Sequence, residues 1–413
     1  MEVNDRISGL PLDILAHILG LLRIEEAAKP AILCTSLRDA WLGLTHLNFD
    51  SEFFNYIRDR YMAESTMSII DTIIIKHNGP IQKFVFDFNF RTVKKKLRWF
   101  DFDEWLLCLT QNGIEEIHLC FSGYTAYILP EFIFSCPTLK TLHLSGVLFE
   151  QISTPCIFPN VTSLFLKNVR FDDRKCCAAE LPVLRNLTCE SVSGCIFTAP
   201  KLRSLKFSVD HDSTIAGRNH SLILPVKLDL RTIHSLHLEG TDLEWFVEEL
   251  YRVGQERTTP NVEHLQLRLM YGSYFDNISA CFQLLQMCPK LTKLDIHLMF
   301  RAVESENELL ELPNHTLAQT FNSIRELSIV CSRLKGSRHE MVFIKWLLHR
   351  FPALEKVVLF QPNWYWGHNL CEHMETLLCF LRADIEVEMS YVKKMPIEYT
   401  SIQNVVILKF ISP

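Results

Sequence analysis

The chain has 413 residues, 42 Lys and Arg against 48 Asp and Glu, and a formal net charge of −6. That length exceeds what one core supports, so several domains or a repeat array are required. The acidic balance argues against general nucleic-acid affinity. Apolar residues at 48% and charged residues at 22% describe an ordinary globular chain. No segment reaches the roughly 18 uninterrupted apolar residues of a membrane helix. Asp5, Asp13 and His17 interrupt the first apolar run and no basic leader precedes it, which argues against a secretory signal. The 14 cysteines are scattered, with Cys108, Cys136, Cys281 and Cys331 on apolar positions, and read as reduced thiols of a cytosolic or nuclear protein. Without a secretory route the Asn-x-Ser/Thr matches at Asn160, Asn186, Asn219, Asn277 and Asn314 are chance. Cys176-Cys177 has no paired ligand spacing around it, so no metal and no cofactor is expected.

The first fifty residues carry short amphipathic runs. After Leu10-Pro11, the residues Ile14, Leu15, Ile18, Leu19 and Leu22 fall on one helical face. A second pattern runs through Ala27, Ala28, Ala31 and Ile32, and a third from Ser36 to Trp41. Short helices of this kind cannot bury all their apolar faces among themselves, so some of that surface is expected to meet another protein.

The order Leu-Pro, Ile-Leu-x-x-Ile-Leu, Glu-Ala-Ala, Leu-Cys-x-Ser-x-Arg and Trp resembles a plant F-box. The resemblance implies docking on a Skp-type adaptor and, through it, on a cullin. Residue by residue it places Leu10, Pro11, Ile14, Leu15, Ile18 and Leu19 in the first-helix pattern, and Leu33, Arg38 and Trp41 at later adaptor-binding positions. Three departures stand out. Pro30 occupies a position that favours Ser or Thr, at an expected cost of about 3 kcal/mol inside a helix. Leu37 stands where Trp is common, and Ile24 where Thr caps the second helix. A small helical cap on a repeat domain is the competing reading of this stretch.

Residues 51–100 read as a rigid bridge. Phe53, Phe54, Ile57 and Tyr61 are spaced as a helix, as are Ile69, Ile70, Ile73 and Ile74. Gly79-Pro80 breaks the pattern, and Lys83 to Phe88 alternates as a strand. The basic run at Lys94, Lys95 and Lys96 reads as a solvated loop, with nuclear import as the alternative.

From residue 101 the chain repeats. NGIEEIHL (from Asn112), CPTLKTLHL (Cys136), FPNVTSLFL (Phe158), LPVLRNLTC (Leu181) and APKLRSLKF (Ala199) share L-x-x-L-x-L, often with a proline two residues ahead. LRTIHSLHL (Leu230), TPNVEHLQL (Thr259), CPKLTKLDI (Cys288), FNSIRELSI (Phe321) and FPALEKVVL (Phe351) continue the series. Ten irregular copies predict a leucine-rich solenoid: each L-x-L is a short strand with its leucines inward, and neighbours stack into a parallel sheet. Leu142, Leu164, Leu205, Leu236, Leu265 and Leu294 should form a buried spine. Return segments from Leu243 to Tyr251 and from Ile278 to Leu285 read as helices, the second with Asp276 as N-cap. The shorter returns between Cys136 and Leu205 read as irregular turns. Residues 211–220 and 304–313 are read as inserted loops.

From Phe321 the chain resembles the FBD region of plant F-box proteins, on SRHEMVFIKWLLHRFPALEKVVL (337–359) and METLLCFLRADIEVEMSYV (374–392); DEWLLCL (103–109) and FSCPTLKTLHL (134–144) extend the likeness to the rest of the family pattern. Nearly the whole chain therefore looks like a plant F-box/FBD/leucine-rich-repeat protein. The fold class expected is α/β: a short three-helix F-box (1–50), a helix/strand bridge and N-terminal cap of the solenoid (51–100), curved leucine-rich repeats with a parallel sheet inside and helices and turns outside (101–318), and last repeats with an FBD-like C-terminal cap (319–413).

No phosphate-cradling glycine loop, G-x-S-x-G or H-E-x-x-H occurs, so the chain reads as no enzyme. The cluster Trp364, Tyr365, Trp366, His368 and His373 reads as core or cap, with a ligand patch as the alternative. The function expected is a substrate-receptor subunit of a Skp–cullin–F-box ubiquitin ligase. The alternative is a leucine-rich scaffold or small-molecule sensor with a degenerate F-box. On the open face of the repeats, a central row runs His118, His143, Phe165, Thr188, Lys206, His237, Gln266, Asp295, Ser328 and Val358. His237, His264, Arg268, Lys293 and His297 are the residues expected to contact a target, with histidine protonation making that contact sensitive between about pH 5 and 8.

Overall fold

The computed structural model describes residues 7, 9–60, 65–89, 99–123, 127–149, 156–171, 177–193, 195–208, 226–227, 231–240, 243–253, 260–270, 274–299, 320–331, 338–362, 386–394 and 403–411. The basic run at 94–96, the inserts at 211–220 and 304–313, and the aromatic cluster at 364–373 lie outside them. The chain divides into two compact units, Met1–Leu202 with His220–Lys227, and Arg203–Asn219 with Leu228–Pro413.

The first unit opens with α1 (Leu12–Gly20), α2 (Ile24–Ala27), a 3-10 turn (Pro30–Ile32) and α3 (Thr35–Leu42). Pro11 holds the extended φ that precedes α1, and Asp13 sits in its first turn, where a carboxylate complements the helix dipole. The expected penalty at Pro30 does not arise. Proline stands at the first position of the 3-10 turn, where its missing N–H and fixed φ cost nothing. Leu37 is buried and Ile24 starts α2 from the interior, so neither departure breaks a helix.

The parallel sheet begins earlier than the repeat count from Asn112 suggests. β1 (His46–Phe49) pairs in parallel with β2 (Lys83–Asn89), and β2 with β3 (Glu116–Ser122). Leu44-x-x-Leu47-x-Phe49 and Ile81-x-x-Phe84-x-Phe86 are the same motif with phenylalanine at the last positions. Asp50 caps α4 (Ser51–Arg60), accepting from the backbone N–H of Glu52 and Phe53 at 3.0 Å each. α5 (Ser65–Lys76) follows before β2, and α6 (Trp99–Gln111) before β3. The Trp105 indole donates to Asp71 across those two helices at 3.2 Å.

The sheet continues through β5 (Thr141–Ser145), β8 (Ser163–Phe171) and β10 (Asn186–Ser193), all parallel. Between them lie β4 (Tyr127–Ile128) and β6 (Val147–Phe149), which pair with each other. The irregular returns expected here are instead a second, small parallel sheet: β7 (Cys156–Ile157), β9 (Cys177–Glu180), β11 (Cys195–Thr198) and β13 (Val226–Lys227). Strands suit these short returns because a helix needs more residues per repeat, while Phe158, Ala179, Leu181 and Phe197 supply buried residues facing the core. Asn168 and Ser191 adopt left-handed φ of 50° and 54° in neighbouring strands, a paired bulge that shifts the side-chain alternation.

Each repeat is tied to the last by one device. Two successive N–H groups donate to a single carbonyl of the preceding unit: Gln82 and Lys83 to Thr45, Glu115 and Glu116 to Gln82, Lys140 and Thr141 to Glu115. In register, Leu47, Phe84, Ile117, Leu142, Leu164 and Leu187 form a spine no more than 2% exposed. Each such side chain contributes about 1.5–3 kcal/mol by burial.

The second unit runs β12 (Ser204–Ser208), β14 (Ser235–Gly240), β15 (His264–Met270), β16 (Lys293–Met299), β17 (Glu326–Cys331) and β18 (Lys356–Pro362), all parallel. Leu205, Leu236, Leu265, Leu294, Leu327 and Val357 are mutual register partners and buried, as expected for the spine. The outer wall is helical: α7 (Leu243–Val253), α8 (Tyr274–Met287) and α9 (Arg338–Arg350). α8 starts two residues before Asp276, which therefore lies in its first turn and is not its N-cap. Phe282 of α8 meets Trp346 of α9 with ring centroids 3.7 Å apart. The parallel order ends at two antiparallel partners, with β20 (Gln403–Ile411) between β18 and β19 (Glu386–Lys394).

Candidate functional site

Two kinds of surface emerge. The first is the N-terminal helical module. Its interior holds Leu15, Leu19, Ala27, Ala31, Leu37, Ala40 and Leu44, all buried. The single apolar face read from the sequence is thus split: Leu15 and Leu19, expected at the partner surface, are core residues of the module, because α1 lies against α3 along that side. Outside remain Leu10, Pro11, Ile14, Ile18 and Leu33, with Arg38 exposed and Trp41 half-buried. Leu12, Leu21, Leu22 and Ile32 are exposed as well. Among the described residues, exposed large apolar side chains concentrate before residue 34. The module is not loosely tethered. Asn78 N–H donates to the Leu42 carbonyl at 2.8 Å, His77 Nε2 lies 2.7 Å from the Leu44 carbonyl, and Arg23 pairs with Glu52.

The second surface is the open face of the sheets, where each unit is taken by itself. In the second unit the register sets His237 beside Gln266, His264 beside Lys293, and Arg268 beside both Glu239 and His297. The five residues expected to meet a target therefore do share one face. They are also engaged with one another's neighbours. Arg268 Nη1 donates to Glu239 Oε1 at 2.7 Å, His264 Nε2 lies 2.6 Å from Asp295 Oδ2, and Lys293 Nζ is 3.6 Å from that same oxygen. Burial raises the Asp295 pKa, but hydrogen bonds from His264 and Ser328 and the charge of Lys293 outweigh it and hold the carboxyl below its usual range. Burial, then the charge of Arg268, pushes His297 down to about 4. That direction favours the neutral ring and argues against His297 as the source of the expected pH sensitivity. Asp295 and Glu239 were the residues the sequence left out of this group. The row positions alone would have put both within reach.

In the first unit the corresponding row is aromatic. Val85, His118, His143 and Phe165 are successive register partners. The His118 and His143 rings are 5.1 Å apart, and those of His143 and Phe165 3.9 Å, each pair tilted by under 40°. Burial, then the neighbouring His118, pushes His143 down to about 4; burial lowers His118 too, against the pull of Glu116. Lys83 pairs with Glu116 at 2.7 Å and Lys167 with Glu190 at 3.1 Å. Burial, then the nearby Asp50, raises the pKa of Asp87. Among the described residues no three His, Cys, Asp or Glu side chains converge to hold a metal, and no helix is long and apolar enough to cross a membrane.

Strands carrying L-x-x-L-x-L, in parallel register and backed by helices or short strands, make this a leucine-rich-repeat protein with an apolar-surfaced helical module at its start. Residues 102–223 match the family described as FBD-associated F-box protein At5g56370, LRR repeats. The chain is 33% identical over 150 residues to F-box/FBD/LRR-repeat protein At1g13570 of Arabidopsis thaliana, covering 36% of this chain and 35% of that one. It is 28% identical over 202 residues to putative F-box/LRR-repeat protein At3g58920 of the same plant, covering 45% and 41%. With F-box/LRR-repeat protein At3g59200, also from that plant, identity is 24% over 297 residues, covering 62% and 55%. Over residues 102–223 the chain is thus similar to the leucine-rich repeats of a plant F-box family, and over part of its length to plant F-box/LRR-repeat proteins. It spans between about a third and just over half the length of the curated relatives it matches. No solved structure matches it.

Proposed function

We propose that this chain is a substrate-receptor subunit of a Skp–cullin–F-box ubiquitin ligase. The helical module holds a Skp-type adaptor through Leu10, Pro11, Ile14, Ile18 and Leu33, flanked by Arg38 and Trp41. The repeat units hold a target protein, with His237, His264, Arg268, Lys293 and His297 offered by the second unit. The chain then contributes proximity, and ubiquitin transfer takes place on other subunits. In this role the chain works in the cytoplasm or the nucleus.

The observation that carries this reading is the concentration of exposed apolar side chains on a module whose own interior is already closed by Leu15, Leu19 and Leu37. Such a surface on a folded chain marks a partner site. The Trp41 indole N–H is buried with no acceptor among the described residues, and a partner carbonyl would satisfy it. The alternative, a scaffold or small-molecule sensor with a degenerate F-box, drew on Pro30 and Leu37. Both fit the module without distortion, so the ligase reading is the one retained. The test is gel filtration of the purified chain with a Skp-type adaptor. A stoichiometric complex supports the reading, and separate elution at micromolar concentrations of both removes it.

A further inference from the structure

The open face of the first unit carries an uneven balance of charge and aromatic surface. His118, His143 and Phe165, on adjacent strands about 4.8 Å apart, stack into a continuous strip of ring faces. The strip is half-exposed. Burial lowers the pKa of both imidazoles, which favours neutral rings that present their π faces, although Glu116, 2.7 Å from His118, pulls the other way. The two lysines flanking it, Lys83 and Lys167, are each neutralised by a glutamate. The acidic end is different. Asp87 is half-buried on β2, and among the described residues no cation and no hydrogen-bond donor meets its carboxylate. Its electrostatic neighbour is a second carboxylate, Asp50, already committed to capping α4. Cys120, the register partner of Asp87, is held as a neutral thiol, its pKa pushed to about 11 by burial and by Asp87.

A neutral aromatic strip ending at an unbalanced carboxylate suits one side-chain chemistry. A guanidinium group stacks on ring faces through its plane, is weakly hydrated, and pairs with a carboxylate through its edge. An anionic guest would meet Asp87 and Asp50, and a purely apolar guest would leave Asp87 without a counter-charge in a less hydrated site. We propose that the open face of the first unit holds a basic segment of the target, its arginine side chains laid on the His118–His143–Phe165 strip and paired with Asp87. This rests on the target-receptor reading and names the class of target. It also moves the principal contact away from the second unit, whose cations Arg268 and Lys293 already face Glu239 and Asp295.

The test uses the full chain and fluorescein-labelled peptides of the sequence Gly-Ser-Arg-Gly-Arg-Ser-Gly, with citrulline or glutamate replacing both arginines, followed by fluorescence polarisation. Citrulline keeps the shape and removes the charge. The expected result is binding of the arginine peptide, at least tenfold weaker binding of the citrulline peptide, and no binding of the glutamate peptide. Asp87→Asn, nearly isosteric, should weaken the arginine peptide at least fivefold and reduce its salt dependence, and Phe165→Ala should weaken it similarly. Asp295→Asn in the second unit should leave it unchanged. Equal binding of arginine and citrulline peptides, no binding of either, or an Asp87→Asn variant with wild-type affinity and wild-type circular dichroism overturns the proposal. No adaptor takes part in this assay. Peptide binding without adaptor binding would therefore retain the basic-segment site and remove the ligase reading, and adaptor binding without peptide selectivity would do the reverse.

Discussion

Ile14 and Leu15 are adjacent in sequence and face opposite environments, Ile14 being 44% exposed and Leu15 1%. One turn later Ile18 and Leu19 repeat the split. Leu15→Ala should therefore lower stability by about 2–5 kcal/mol. Ile14→Asp should leave the unfolding temperature unchanged and cost several kcal/mol of adaptor binding, because it buries a charge in the contact. Thermal unfolding and an adaptor pull-down on the two variants separate these effects. A matching drop in unfolding temperature for Ile14→Asp would place that side chain in the interior.

Leu294 lies fully buried between Leu265 and Leu327. Leu294→Ala should cost about 2–5 kcal/mol. Repeats contact their neighbours only, so the loss should stay local. Hydrogen exchange should accelerate first in β15, β16 and β17 while β2, β3 and β5 keep their protection. Uniform acceleration across both units would contradict the modular picture.

Gly146 adopts φ 68°, and an added Cβ would sit 2.0 Å from the Phe121 carbonyl oxygen. Glycine is required at this turn both for its backbone angle and for the close approach. Gly146→Ala should destabilise by roughly 1–3 kcal/mol or more, measured as a fall in the urea midpoint. A midpoint equal to wild type would show that the turn can relax.

His143 and His297 have folded-state pKa values pushed down to about 4 by burial, against about 6.5 in an unfolded chain. As pH drops below 6.5 the unfolded chain takes up protons first. The contribution of these two residues to stability is therefore complete above pH 6.5 and is lost progressively towards pH 4. The unfolding temperature should fall across that window, and His143→Gln and His297→Gln should each flatten the fall. Asp295 acts lower, since its depressed pKa keeps its contribution until the pH drops below the usual carboxylate range. A wild-type profile flat from pH 6.5 to 4.5 would mean these rings reach solvent more freely than their positions indicate.

The repeat motif made most of the sheet legible before any coordinate. A period-2 pattern fixes which residues face inward, and a recurring unit fixes which strands are neighbours, so the register of His237, Gln266 and Asp295 followed directly. β1 and β2 were missed as repeats because phenylalanine replaces leucine at positions 49, 84 and 86, and the Phe49–Phe84 contact shows those rings doing the same packing. That omission also hid Asp87 from the candidate face. The outer strands β7, β9, β11 and β13 were missed because they are two to four residues long, too short for periodicity to register. Leu15 and Leu19 were assigned outward because a helical wheel locates an apolar face without saying which part of it the neighbouring helix covers. The pairing of Arg268 with Glu239 depends on side-chain reach across strands, which the linear pattern does not encode.

The exposed apolar residues of the N-terminal module are proposed to bind a Skp-type adaptor. Isothermal titration of the full chain with that adaptor tests it most directly, using wild type and an Ile14→Asp/Ile18→Asp variant checked for folding by circular dichroism. Wild type should bind saturably and one-to-one, and the folded variant should lose at least a hundredfold in affinity. Undetectable binding by wild type, or equal affinity for the two proteins, would contradict it.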